Sequence, residues 1–141
     1  MDHVLIDTDV VLDFFFDRAP FAEHATAVFV LCENNKIKGY TTPVIVSNVY
    51  YLLRKMAKHE VIVEKLKQLL NIIEVVNIDK AVIIESLHSN FKDFEDALQN
   101  FAAENNAEIS IILTRNMKDF QHSKLAVFSP EMYLKNEAGR Y

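Results

Sequence analysis

Glycine is nearly absent, with only Gly39 and Gly139 in 141 residues. Loops that wrap phosphate in backbone N–H groups need several glycines at fixed spacing, so neither a P-loop nor a dinucleotide fingerprint can be built. Cysteine occurs once, as Cys32 in an apolar helical stretch. That excludes an internal disulfide and a paired-thiolate zinc site, and it reads as core filler in a cytoplasmic protein. HExxH and GxSxG are both missing, which removes the zinc-protease and serine-hydrolase readings. The longest apolar run, residues 27–32, is far too short to cross a bilayer, and Met1-Asp2 leads into a strand-like run without a signal core. No membrane segment is expected. An excess of positive charge is lacking too. At a formal −5 the chain is not built to bind nucleic acid by charge alone, although acids that hold metal count as negative until the metal arrives.

What remains is ordinary globular material, 50% hydrophobic and 25% charged, enough for one domain over residues 1–135 with a tail at 136–141. Strand-like runs at residues 3–6, 37–41, 72–76, 109–113 and 125–128 alternate with longer stretches of helical period. Apolar positions 44, 45, 49, 52, 53 and 56 recur at helical spacing, as do Phe94, Ala97, Leu98, Phe101 and Ala102. Strands alternating with helices predict an α/β fold with a central parallel sheet of about five strands, covered on both faces. Right-handed crossovers place the carboxyl ends of the strands on one edge, where ligands of open α/β sheets bind.

Acidic residues gather at that edge. Asp7 follows Val4-Leu5-Ile6, with Asp9 and Asp13 close behind; Asp93 and Asp96 open the helix before the fourth strand, and Asp119 follows that strand. Each has a plainer reading alone. Asp7 suits a helix N-cap, Asp93 and Asp96 a capping pair, Asp119 a solvated turn, and Asp13 and Asp17 read as surface acids. Convergence of distant segments carries the functional reading. Asn48 interrupts the apolar stripe 44, 45, 48, 49, 52, 53. A buried amide without partners costs about 1–3 kcal/mol, so this residue should have a partner, either backbone or the acidic site.

Three segments together resemble the PIN-domain family, including the toxin ribonucleases of bacterial toxin–antitoxin modules. They are Leu5-Ile6-Asp7-Thr8-Asp9-Val10-Val11-Leu12-Asp13, Asp93-Phe94-Glu95-Asp96-Ala97-Leu98 and Leu113-Thr114-Arg115-Asn116-Met117-Lys118-Asp119-Phe120. The resemblance implies a three-layer α/β/α sandwich in which Asp7, Asp96 and Asp119 are catalytic, metal-binding carboxylates. Thr114 and Asn116 would support them, together with Asp9 and Asp93. Arg115 is a candidate phosphate contact, its alternative an ordinary surface arginine. Two positions depart from the family pattern. Asp9 stands where asparagine is usual, and Asn48 stands where the family carries a glutamate, so position 48 offers a carbonyl oxygen without charge.

The implied activity is a ribonuclease dependent on Mg²⁺ or Mn²⁺, which would clamp a scissile phosphate and activate water; oxygen donors suit these ions. RNA, a small antitoxin and a second copy of the chain are the implied partners. Two rival readings stand beside it. One is a PIN domain that binds RNA or protein without cutting, because of Asn48. The other takes Asp7-Thr8-Asp9-Val10-Val11 as the nucleophile motif of haloacid-dehalogenase-like phosphatases, with Asp7 attacking phosphate and Asp9 as acid/base. That scheme wants a downstream lysine and a later acidic pair, and here Lys118 and Asp93/Asp96 come in the wrong order.

Overall fold

A computed structural model describes residues 1–137. Val4, Leu5 and Ile6 are each 0% exposed in strand β1 (His3–Ile6), the unbroken apolar signature of a strand covered on both faces. The other strands are β2 (Lys38–Thr41), β3 (Glu74–Val75), β4 (Ile111–Leu113) and β5 (Ala126–Phe128). They form one parallel sheet in the order β3-β2-β1-β4-β5, so β1 is central. Among the described residues seven α-helices flank it: α1 (Thr8–Phe16), α2 (Ala22–Glu33), α3 (Pro43–Leu53), α4 (His59–Ile72), α5 (Lys80–Leu87), α6 (Phe94–Glu104) and α7 (Pro130–Glu137). They fall into two packing groups. The helices α1, α2, α3, α4 and α7 touch one another in succession, while α5 packs on α6. The expected α/β fold with a parallel sheet of five strands is the one observed.

Each helix that borders the carboxyl edge begins with an oxygen cap. The Asp7 carboxylate accepts from the Thr8 N–H at 2.8 Å, Thr42 Oγ1 accepts from Ile45 N at 3.1 Å with Pro43 opening α3, and Asp93 accepts from Asp96 N at 3.0 Å. The capping role foreseen for Asp93 is thus real. Register does the rest. Ile6 pairs with Leu113, and Asp7 N donates to Leu113 O at 2.9 Å, so the residues that leave β1 and β4 emerge side by side.

Strand β3 is shorter than expected. Residue 72 still belongs to α4, and Ile73 spends its N–H on Leu69 O at 3.1 Å, which leaves Glu74 and Val75 as the strand, followed by one further bond from Val76 N to Thr41 O at 2.8 Å. Helix α7 runs through Asn136 and Glu137, two residues into the segment read as a tail; the remainder of that segment lies outside the described residues. No helix among the described residues is long and apolar enough to cross a membrane.

Gly39 marks where β2 meets the helical layer. A Cβ there would stand 2.8 Å from both Cys32 Sγ and Ile73 Cγ2. Cys32 is buried core, as expected. Gly39→Ala should overpack this contact and cost about 1–3 kcal/mol. Urea unfolding should show a lower midpoint with an unchanged slope; an unchanged midpoint would mean the contact has room to relax.

Candidate functional site

The edge formed by the ends of β1 and β4 opens into a cleft of about 610 Å³ between α1, α3 and α6. Asp7, Asp9, Asn48, Glu95, Asp96, Gln99, Arg115 and Asn116 face it. Asp7 is 6% exposed, and both its oxygens are oriented. Oδ1 accepts from the Thr8 N–H, and Oδ2 accepts from the Thr114 hydroxyl at 2.8 Å. Thr114 is buried and also accepts from Asn116 N at 3.0 Å, which fixes the turn after β4. The Oδ2 of Asp9 accepts from Asn116 Nδ2 and from Arg115 N, both at 3.1 Å. Asn48 donates from Nδ2 to Glu95 Oε2 at 2.9 Å, so its expected partner is a side chain of the acidic site.

The other expected site residues lie around this group. Asp96 faces the cleft on one side and a second cleft of about 340 Å³ on the other, which it shares with Asp93 and Asp119. Asp119 therefore approaches Asp96 from outside and does not line the main cleft. The Arg115 guanidinium, expected at phosphate, instead binds Asp13 with Nε 2.6 Å from Oδ2 and Nη2 3.2 Å from Oδ1. Its plane lies over Phe21, 3.9 Å from the ring centroid.

Asp13 corrects the reading of it as a surface acid. It is 1% exposed and also pairs with Arg18 Nε at 2.8 Å. Two arginines make its burial tolerable, one reaching back from the helix end and the other arriving from the turn after β4. Asp17 is exposed, as expected. Glu95 and Gln99 were missed. Helical spacing from Asp96 gave no reason to choose its neighbour, and Gln99 falls off the apolar stripe Ala97, Leu98, Phe101, where a polar residue is ordinary.

Electrostatics sharpen the picture. Among the described residues, Asp7, Asp9, Glu95 and Asp96 make no ion pair, because the nearby arginines are committed to Asp13. Burial, followed by the charge of Asp9, drives the Asp7 carboxyl well above the ordinary carboxylate range against the pull of its hydrogen bonds. Burial also raises Asp9. Asp96 is pushed up to about 7 by burial and by Asp93, Asp119, Glu95 and Asp9 in turn.

These residues fit a divalent cation. Among the described residues, three of the five buried side-chain polar atoms without a partner, Thr8 Oγ1, Asp9 Oδ1 and Gln99 Oε1, belong to residues facing this cleft. Such orphans each cost about 1–3 kcal/mol unless a donor or cation meets them. No three His, Cys, Asp or Glu side chains among the described residues converge into a ready-made cage. Mg²⁺ does not need one, since it keeps several waters and takes only one or two carboxylates directly.

The PIN-domain pattern matches residues 3–118. The chain belongs to the PIN-domain family. Ribonuclease VapC1 of Aquifex aeolicus is 27% identical over 137 residues, covering 94% of this chain and 93% of that protein. A toxin–antitoxin complex from Klebsiella pneumoniae contains a chain that superposes with a TM-score of 0.67 at 20% identity, covering 90% of this chain and 97% of that one. VapC20 of Mycobacterium tuberculosis, a toxin that cleaves the sarcin–ricin loop, superposes at 0.60 with 14% identity over 77% of this chain and 86% of its own. These structural likenesses establish the shared fold. Family membership removes the phosphatase reading of Asp7 and Asp9.

Carboxyls with raised pKa bind protons in the folded chain that the unfolded chain has released. Without cation, stability should be greatest below the ordinary carboxylate pKa and fall as pH rises towards about 7. In EDTA the thermal midpoint should therefore decline between about pH 5 and pH 7.5. Asp96→Asn should flatten the decline. Since Asp96 is partly exposed, solvent screening leaves about 1 kcal/mol, a gain of roughly 3–5 °C at the upper pH. A midpoint that climbs across this range in the wild type would contradict the repulsion.

Proposed function

We propose that this PIN domain is a ribonuclease that hydrolyses phosphodiester bonds with the help of Mg²⁺ or Mn²⁺. The observation that carries the reading is the unneutralised acid cluster, with its orphaned oxygens, at the carboxyl edge of the sheet. The likeness to a ribonuclease along nearly the whole chain supplies the substrate class.

Asp7 and Asp96 would hold the ion, with Asp119 adding negative charge from the adjoining cleft. A bound divalent cation supplies acidified water and neutralises charge that develops on the phosphate. The chain's own groups do the positioning. The Thr8 N–H and the Thr114 hydroxyl keep Asp7 from rotating away, and Asn116 with the Arg115 backbone does the same for Asp9. Arg115 is then a positioning residue whose guanidinium pins α1 to the turn after β4. Lys55, which faces the same cleft, is better placed to meet backbone phosphate. With a net charge of −5, RNA affinity should depend on the cation and be modest.

A small antitoxin that covers the cleft and inserts a basic side chain would satisfy the same acids, and the likeness to a chain from a toxin–antitoxin complex supports such a partner. A homodimer and a cytoplasmic setting complete the proposal. Asn48 favours one rival, a domain that binds RNA without cutting it.

Cleavage of a mixed RNA pool with Mn²⁺ or Mg²⁺ decides between them. EDTA should abolish it. Asp96→Asn should lower it by at least about 100-fold, since even groups that only support metal ligands are worth 10–100-fold. A folded, Mn²⁺-binding protein that leaves the RNA intact would establish the binding module instead.

A further inference from the structure

We infer that Glu95 supplies the acidic charge that position 48 lacks, with Asn48 acting as the residue that positions it. The inference rests on reading the cleft as a cation site, as proposed above. Glu95 comes from the first turn of α6 and Asn48 from the middle of α3, so the two helices meet through these side chains across the cleft. Asn48 Nδ2 donates to Glu95 Oε2 at 2.9 Å, a hydrogen bond to a charged acceptor that a glutamate at position 48 could not make. The exchange is chemically reciprocal. An acid at position 48 would bring its charge from α3, whereas here α3 brings the donor and α6 brings the charge.

The plainer reading of Glu95 is a favourable acid in the first turn of a helix. That role requires no partner from another helix, and Asp93 and Asp96 already fill it. Gln99 supplies an independent observation. It lies four residues after Glu95, hence on the same face of α6, and is 2% exposed with Oε1 unpartnered beside the same cleft. A buried amide oxygen without a donor calls for a cation or its water. Gln99 and Glu95 thus belong to a single face of α6, and Asp9, whose Oδ1 is also unpartnered, lines the same cleft. Asp96, the next residue after Glu95, borders both clefts, whereas Glu95 borders only the main one and bonds to α3.

Mn²⁺ affinity, measured by calorimetry on the full chain and checked by the electron paramagnetic resonance of free Mn²⁺, tests this without relying on turnover. Glu95→Gln should weaken binding by at least about tenfold without lowering the melting temperature in EDTA, because the side chain is exposed and its charge only adds to the repulsion. Asn48→Ala should weaken it less, by freeing Glu95. The exchange variant Asn48→Glu/Glu95→Gln should recover affinity to within about threefold of the wild type. Glu95→Gln binding as tightly as wild type, while Asp96→Asn binds poorly, would overturn the inference and leave the site reading intact. An exchange variant as weak as Glu95→Gln would overturn the claim that the two positions substitute for each other. Wild type and Asp96→Asn that both fail to take up Mn²⁺ would instead remove the cation site itself, and this inference with it.

Discussion

Asp7 is held at the centre of the sheet edge by neutral donors alone, and the architecture of the site follows from that. A backbone N–H and a buried threonine hydroxyl orient both its oxygens without cancelling its charge. Two arginines lie within reach of this region, yet both bind Asp13, nearly two helical turns further along α1. The consequence is a division of acids. Asp13 is neutralised by the protein and serves structure; Asp7, Asp9, Glu95 and Asp96 are left to repel one another in a half-buried cleft. Such an arrangement lowers stability and persists where a ligand resolves it.

The parallel sheet is what makes this crowding possible. Equal register between Ile6 and Leu113 puts Asp7 beside Thr114, and the turn that follows brings Asn116 and the Arg115 backbone onto Asp9. Helix α6 enters on the same edge because its Asp93 cap starts it there, which delivers Glu95 and Asp96 one after the other. No residue in the cleft needs a glycine-rich loop. The site is built from side chains on strand ends and helix starts, in keeping with a chain that has only two glycines.

Much of this was legible in the sequence because period and order are local properties. The β-rich runs mark all five strands, and parallel topology alone converts scattered aspartates into one edge. What escaped depends on partners distant in sequence. Asp13 sits among Val11, Leu12 and Phe14 in a pattern any amphipathic helix could show, and its burial is intelligible only once Arg115 arrives from the far side of the chain. Asn48 announced that it needed a partner, but that partner's identity required the packing of α3 against α6. Arg115, a basic residue among polar positions, suggested a phosphate contact; that its guanidinium is held by Asp13 depends on an acid whose burial the sequence did not show. The short β3 was lost to the backbone of α4, which continues for one more hydrogen bond than the apolar run suggests.

A crystal structure of the protein grown with Mn²⁺ and recorded at a wavelength where manganese scatters anomalously tests the central claim most directly. The account predicts an anomalous peak in the cleft between Asp7 and Asp96, on the side that Glu95 and Gln99 face, with water completing its coordination. A fully soaked crystal with no peak there, or with manganese only in the adjoining cleft of Asp93 and Asp119, would contradict it.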